Sequence, residues 1–229
     1  MYEARSPRVW ITRTQPGADA CLPAWREAGF DPMAAPLLEL TRVEDVGPVP
    51  AGAELVFTSA NGVRFAPDLA KNCRVYCIGP ATARAARDAG FADVRHGVGD
   101  WTNLLGLIEP SNAPIVHIGG QHVRGRITEA LRERGRTASR RVVYRSEAVT
   151  DWPLDTSRIE LAALYSPLAA ATLMSLPDRP MAFAVVALSE AVAAPLRQRI
   201  DRDRLHVARQ PTDAAMIEAA AFAVGLDPA

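Results

Sequence analysis

The feature that most limits how this chain can fold is an internal repeat of strand–turn–helix patterns. The segments FTSANGV at 57–63 and LYSPLAA at 164–170 each follow an apolar run and open a helical pattern. The turns recur at near-constant intervals, 20 and 23 residues in the first series and twice 23 in the second: Ser59, Gly79, Thr102 and Ser166, Ser189, Thr212. Two series of three units in the same order predict two similar domains.

Strands and helices alternate along both series. Short apolar runs predict the strands Val9–Thr12, Glu54–Phe57, Val75–Ile78, Ile115–Ile118, Leu161–Leu164 and Phe183–Leu188. A turn and a stretch of helical spacing follow each run. Gly29, Gly90 and Gly135 stand where three of these helices should end in a left-handed residue. This alternation predicts an α/β fold with parallel sheets covered on both faces.

The repeat also predicts how the chain divides. The first series, 53–109, is followed by a fourth unit at 114–135, whereas the second series, 160–224, has only three units. The strand–turn–helix pattern at 8–30 is the natural candidate for the missing one.

Two α/β lobes of flavodoxin or Rossmann type follow from this assignment. One lobe is discontinuous, 1–35 with 151–229, and the other is continuous, 43–140. The alternating segments 36–42 and 141–150 suit a two-stranded linker. We expect the active-site cleft to lie between the lobes.

The composition argues against two classes of partner, nucleic acids and membranes. The 229 residues carry 26 basic and 26 acidic side chains, so the formal net charge is zero and nothing favours nucleic acid or a membrane surface as a partner. No run of 18 apolar residues and no signal-peptide pattern occurs, so we expect a soluble, cytoplasmic protein.

Motifs for several other chemistries are missing. GGQHVRG at 119–125 lacks dinucleotide-binding spacing, and neither a P-loop nor a G-x-S-x-G nucleophile turn occurs. The histidines are scattered, which argues against a metal site. Cys21, Cys73 and Cys77 lack C-x-x-C spacing and are expected to be buried, reduced thiols. No cofactor is predicted.

Small polar residues stand where the predicted helices begin. Ser59, Ser166 and Ser189 occupy positions where serine usually caps a helix. Capping alone explains them, but a cap hydroxyl and the next backbone N–H groups can also bind a carboxylate. Thr82 in GPATA has the same two interpretations, with Gly79 preparing the turn ahead of the helix.

Two larger side chains are further candidates. Arg13 ends the first predicted strand, at the carboxyl edge where open α/β sheets bind ligands, although it could equally be an exposed surface arginine. Tyr144 lies in the predicted linker, where it either packs or donates a hydrogen bond or proton to a leaving group.

In this order, the units resemble the uroporphyrinogen-III synthase family over nearly the whole chain. The stretches that carry the resemblance are VWITRTQPGADACLPAWREAGFDPMAAPLLEL, ELVFTSANGV, VYCIGPATARAARDAGF, VVYRSEAV and LYSPLAAATL. The resemblance implies two lobes joined by a two-stranded linker and a cofactor-independent reaction. A linear hydroxymethylbilane with eight carboxylates loses water and closes to a macrocycle with its last pyrrole ring inverted. A monomeric enzyme is the expectation.

The resemblance also implies roles for residues. The substrate carboxylates would be bound by Thr58, Ser59, Asn61, Thr82, Ser166 and Ser189, with Arg13 and Gly79 beside them. Tyr144 would assist departure of the substrate hydroxyl.

Two turns depart from the family pattern. ALSEAVA places Ser189 where glycine is usual, and Glu190 beside it would repel a substrate carboxylate unless it points away. HIGGQHVRG carries His117 and His122 where arginine or apolar residues are expected. Two alternatives therefore stay open: a non-enzymatic, hinged binding domain for a small anionic metabolite, or an inactive paralogue.

Overall fold

A computed structural model of the chain describes residues 5–122, 125–149, 155–176 and 181–226. The chain forms two compact units, unit 1 with Met1–Glu39 and Glu147–Ala229, and unit 2 with Leu40–Ser146. The chain passes from one unit to the other inside the segments 36–42 and 141–150. That these segments act as a linker stays a prediction.

Short strands and helices alternate through both units. The strands are β1 (Arg8–Ile11), β2 (Asp31–Ala34), β3 (Leu38–Arg42), β4 (Glu54–Phe57), β5 (Arg74–Ile78), β6 (Asp93–Gly97), β7 (Ile115–Gly120), β8 (Ala138–Ala148), β9 (Leu161–Leu164), β10 (Ala184–Ala187) and β11 (Leu205–Val207). The α-helices are α1 (Gly17–Glu27), α2 (Ala60–Phe65), α3 (Gly79–Asp88), α4 (Trp101–Leu107), α5 (Ile127–Glu133), α6 (Pro167–Ser175), α7 (Glu190–Ala193) and α8 (Asp213–Val224). Single 3₁₀ turns lie at Thr156–Arg158, Ala194–Leu196 and Arg202–Arg204.

Each unit is built on one sheet, and the strand orders of the two sheets correspond. The order is β11-β10-β9-β1-β2 in unit 1 and β6-β5-β4-β7-β8-β3 in unit 2, and the pairs from β11 to β2 and from β6 to β8 are parallel. Strand β1 thus takes the position in its sheet that β7 takes in the other. The N-terminal strand completes the second repeat, and the predicted α/β class is confirmed.

Strand β3 pairs with β8 at the edge of the unit 2 sheet. The Val43 amide donates to the Val143 carbonyl (3.0 Å), and the Val149 amide donates to the Leu37 carbonyl (3.0 Å). Earlier residues of one strand thus face later residues of the other, which is the antiparallel pattern.

Both sheets are buried on both faces. In β1, Trp10 packs into one apolar cluster of unit 1, while Val9 and Ile11 pack into the other. In β4, Leu55 and Phe57 join the cluster beneath α2 and α3, and Val56 joins the cluster beneath α4 and α5. Two-sided burial explains why the strands read as unbroken apolar runs.

The three predicted helix-ending glycines are confirmed. Gly29, Gly90 and Gly135 follow α1, α3 and α5 with φ of 86°, 90° and 78°. Only glycine adopts this region without a steric penalty, so each marks where its helix must stop.

The expectation of three buried thiols is wrong for one of them. Cys21 and Cys77 are free and buried, and burial raises the pKa of the Cys77 thiol to about 12. Cys73 is free but only half-buried, because β5 begins one residue later and leaves Cys73 in the preceding turn. Its Sγ lies 3.1 Å from the Ala70 carbonyl oxygen.

A buried ion pair joins the amino end of β4 to the segment after α5. The side chains of Glu54 and Arg136 are 9% and 8% exposed, and their closest charged atoms are 2.5 Å apart. The guanidinium also donates to the carbonyls of Glu109 (2.6 Å) and Ala113 (3.1 Å). Arg74 at the start of β5 lies 3.8 Å from the same Glu54 carboxylate. These ion pairs therefore connect the amino end of β4 to β5 and to the segment after α5. They lie at the opposite edge of the sheet from the carboxyl ends of the strands.

Within these described ranges, no helix is long and apolar enough to cross a membrane.

Candidate active site

At the carboxyl end of β4, two hydroxyl residues follow the last buried strand residue. Thr58 and Ser59 are half-buried, and Ser59 is the N-cap of α2. Its Oγ accepts a hydrogen bond from the Gly62 amide at 3.1 Å, which confirms the capping prediction. The same Oγ lies 3.2 Å from Tyr144 Oη. The cap serine is thus also the hydrogen-bond partner of the predicted catalytic tyrosine. Asn61, half-buried, lies in the first turn of the same helix.

Tyr144 reaches Ser59 because of an irregularity in strand pairing. Gly119 pairs with Val142, but Gly120 pairs with Tyr144, so one residue of β8 is left over. A bulge of this kind re-aims the side chains that follow it. The Tyr144 ring lies over Gly120 and packs against Phe65 at a centroid distance of 5.3 Å.

The fit between Gly120 and the tyrosine leaves no space for a side chain. A Cβ on Gly120 would lie 2.5 Å from Tyr144 Cζ and 2.8 Å from its Oη. The Tyr144 ring is therefore held in place by two contacts, one with the backbone of Gly120 and one with the ring of Phe65.

Thr58 has its own partner on the next strand. Its Oγ1 lies 3.1 Å from Nε2 of His117, and Nδ1 of the same imidazole lies 3.2 Å from Thr128 Oγ1 on α5. His117 is 3% exposed. Burial, and then the positive charge of Arg140, lower the pKa of His117 to about 4, against a smaller opposing effect of Glu129. The imidazole is neutral at physiological pH.

The predicted cap at Thr82 is wrong. Helix α3 begins at Gly79, three residues earlier than expected, so Thr82 lies within its first turn and is 5% exposed. The cause is local: Gly79 takes a φ of 76°, and proline is favoured in a first helical turn, so Pro80 starts the helix here.

In unit 1, the predicted serines follow adjacent strands. Ser166 caps α6 after β9, and its Oγ accepts from the Ala169 amide at 3.1 Å, as predicted. Ser189 is at the N-cap position of α7 after β10, but its side chain makes no capping bond. The Glu190 carboxylate accepts from Arg197 Nη2 at 2.6 Å. An acid held by an arginine is a weaker obstacle to an anionic substrate than a free one.

Arg13 follows β1, the neighbour of β9. Its Nη1 is 3.2 Å from the Asp213 carboxylate at the start of α8, and its guanidinium lies 5.2 Å from the centre of the Tyr165 ring. Burial raises the pKa of Tyr165 well above its ordinary value. The salt bridge to Asp213 and the contact with the Tyr165 ring together fix the direction of the Arg13 guanidinium. The Arg13 side chain is 40% exposed.

The structure thus brings some predicted residues into contact and leaves others apart. Ser59 contacts Tyr144 directly, while Ser166, Ser189 and Arg13 follow three adjacent strands of the other unit. Sequence reasoning gave no role to the residues that hold them: Gly120, Thr128 and Asp213. The only available signals were the paired glycines that end β7 and the unexpected histidine at 117.

A cavity of about 580 Å³ lies at the opposite edge of the unit 2 sheet, by the amino ends of β4 and β5. The loops 47–53 and 67–73 form its wall, with none of the predicted site residues. In the part of the chain that the structure describes, no group of three histidine, cysteine or acidic side chains could hold a metal ion.

The family model described as uroporphyrinogen-III synthase HemD matches residues 19–218. The uroporphyrinogen-III synthetase of Helicobacter pylori aligns at 17% identity with a TM-score of 0.66, covering 97% of this chain and all of that one. A mutant uroporphyrinogen III synthase of Thermus thermophilus aligns at 18% identity with a TM-score of 0.54 and the same coverage. These two structures share the fold. A search of curated protein sequences gives no significant match.

A match over most of the chain, on a fold common to both structures, identifies the family. The chain belongs to the uroporphyrinogen-III synthase family, the hydro-lyases of tetrapyrrole biosynthesis.

Proposed function

We propose that this chain converts hydroxymethylbilane to uroporphyrinogen III, with loss of water and inversion of the last pyrrole ring. The observation that supports this beyond family membership is the 3.2 Å contact between Ser59 Oγ and Tyr144 Oη at the carboxyl end of β4. It sets a proton donor beside the edge of the sheet where α/β folds bind ligands.

The first step breaks the carbon–oxygen bond of the hydroxymethyl group. An electron pair from the pyrrole nitrogen expels the hydroxyl and leaves an azafulvene cation. Departure is easier when the leaving oxygen receives a hydrogen bond or a proton. Because Ser59 Oγ already accepts from Gly62, its own hydrogen is free to point at Tyr144 Oη. The Tyr144 hydrogen is then available for the leaving group.

The second step is ring closure, and here the enzyme mainly directs the substrate. The substituted carbon of the last ring attacks the cation and gives a spirocyclic intermediate. The older bond from that carbon to its methylene bridge then breaks and re-forms at the free carbon of the same ring, which loses a proton. Holding the chain in a folded conformation is therefore the main task. The eight carboxylates of the substrate are the groups by which it can be held.

We assign the carboxylates to polar groups in both units. In unit 2 these are Thr58, Asn61 and the backbone N–H groups at the start of α3, with Gly79. The Ser59 hydrogen serves Tyr144, and Thr82 is buried, with its N–H bonded inside the helix. In unit 1 they are Arg13, Ser166 and Ser189. The pairing of Arg13 with Asp213 fixes the guanidinium direction and leaves part of its donor set available.

We also propose that the strands at 36–42 and 141–150 act as the linker, and that the enzyme works as a cytoplasmic monomer. The bonds between Val43 and Val143 and between Val149 and Leu37 support the linker assignment, because they pair the two segments.

Product analysis tests the proposed function. The protein is incubated with freshly prepared hydroxymethylbilane, the products are oxidised, and type I and type III uroporphyrin are separated. Predominance of type III that depends on the protein is the expected result. Type I alone, at the rate of the protein-free blank, would favour the binding domain or the inactive paralogue.

Replacing Tyr144 with phenylalanine should lower kcat about tenfold, because the ring is kept and the proton donor is lost. Ser59→Ala should lower it less, since Tyr144 keeps its own hydroxyl, and should destabilise α2 by about 1 kcal/mol through loss of the cap. The measurement is single-turnover kinetics beside thermal unfolding of both variants. Unchanged kinetics for Tyr144→Phe would remove the tyrosine from the mechanism.

A further inference from the structure

We propose that His117 is a positioning residue for this reaction: its neutral imidazole, held by Thr128, turns the Thr58 hydroxyl hydrogen toward a substrate carboxylate. The inference rests on the proposed function, because it concerns how Thr58 meets the substrate. It assigns a role to a histidine that stands where the family pattern leads one to expect arginine or an apolar residue.

The surroundings of His117 are those of a core position. It lies in the centre of β7, 3% exposed, between the buried strand residues Val116 and Ile118. Buried polar groups are normally hydrogen-bonded, and both ring nitrogens here have a partner. Nε2 faces Thr58 Oγ1 at 3.1 Å and Nδ1 faces Thr128 Oγ1 at 3.2 Å. The ring therefore connects a residue of α5 to the carboxyl end of β4.

The charges around the ring keep it neutral. Arg140 is opposite His117 on the adjacent strand β8, and its guanidinium donates to the backbone carbonyls of Gly120 and Gln121. Glu129 on α5 has a smaller, opposite effect on the pKa of the ring, and Thr58 and Thr128 are uncharged. Burial and Arg140 outweigh Glu129, so the pKa of the ring falls to about 4. A neutral imidazole has one donor nitrogen and one acceptor nitrogen.

The tautomer decides which part of Thr58 the substrate meets. If Nε2 carries the hydrogen, it donates to Thr58 Oγ1, and the threonine keeps its own hydrogen for a carboxylate. If Nδ1 carries it, Thr58 must donate to Nε2 and presents only lone pairs, which a carboxylate repels. Carboxylate binding by Thr58 thus requires the Nε2–H form, with the Thr128 hydroxyl donating to Nδ1.

Kinetics on paired variants test this role. His117→Met should raise KM about fivefold, the effect of one lost hydrogen bond, with kcat within about twofold of the parent. His117→Gln should recover most of the loss, because its amide N–H can reach the Nε2 position. In a Thr58→Val background, His117→Met should raise KM no further. An equal rise with and without Thr58 would overturn the inference.

Nitrogen NMR of histidine-labelled protein gives a readout that turnover does not influence. The His117 signals, assigned by their loss in His117→Gln, should show the hydrogen on Nε2 at neutral pH. Thr128→Val removes the hydroxyl donor to Nδ1 with little change of shape, and should shift the ring toward the other tautomer even if His117→Met fails to fold. A hydrogen on Nδ1 in the parent overturns the inference however active the enzyme is. Absence of type III product from the parent would instead refute the proposed function.

Discussion

Gly120→Ala is expected to lower kcat for type III product about a hundredfold, more than loss of the tyrosine hydroxyl itself. The new Cβ would lie 2.5 Å from Tyr144 Cζ, at least about 1 Å closer than carbon atoms in contact normally come. The ring must move, and a displacement of about 1 Å at a reacting group can reduce a rate about a hundredfold. In Tyr144→Phe the ring keeps its position. In Gly120→Ala the clash moves the ring away from Ser59 and into space that the substrate would use.

The measurement is kcat for type III product, with Gly106→Ala as the matched control. Gly106 lies in α4 of the same unit, and a Cβ there would meet nothing within 4 Å. The control should keep full activity and gain a few tenths of a kcal/mol or more, because alanine is the better helix former. If the clash with the ring is the cause, Gly120→Ala should also lower the melting temperature, and should lower it no further in a Tyr144→Ala background. Full activity of Gly120→Ala would show that the position of the ring does not matter.

Replacing Glu54 with alanine should destabilise unit 2 by about 3–5 kcal/mol, the usual result of breaking a buried ion pair. Arg136 would remain 8% exposed in its side chain with no carboxylate beside it, held only by two backbone carbonyls. Arg74, 3.8 Å from the same carboxylate, would lose a partner as well. The measurement is urea unfolding followed by circular dichroism.

Glu218→Ala is the control, because it also breaks a glutamate–arginine contact. That pair, with Arg209, is 3.5 Å long and more than half exposed on both sides, so its loss should change stability by less than about 1 kcal/mol. Equal effects of the two substitutions would mean that the Glu54 pair contributes nothing beyond a surface contact.

Sequence periodicity predicted six of the strands to within about two residues at each end but missed β2, β6 and β11, and the repeat predicted that β1 would complete the second sheet. Both rest on local information. A buried parallel strand is an unbroken apolar run, and a helix stop is a glycine. The two local errors, at Thr82 and Cys73, arose because an element begins earlier or later than hydropathy suggests.

The contacts between the site residues could not be predicted from local sequence patterns. Ser59 and Tyr144 are 85 residues apart, and they meet because β8 carries one extra residue opposite Gly120. Without that bulge, simple alternation would place Val143 and Tyr144 on opposite faces, whereas both pack with the cluster under α2. Similarly, the hydrogen bonds between His117 and the two threonines Thr58 and Thr128 depend on the register of β7 against β4 and on how α5 packs against the sheet.

The discontinuity of unit 1 bears on the order in which the chain folds during synthesis. Strand β1 lies between β9 and β2 in its sheet, with Val9 opposite Leu161, so it must wait for a strand made some 150 residues later. Strands β4 to β8 are all complete before β9 leaves the ribosome. The half of the chain that carries Ser59, Tyr144 and His117 therefore has its sheet partners first. Strands β1 and β2 meanwhile expose an unpaired edge, which is open to pairing with another chain until β9 has been made.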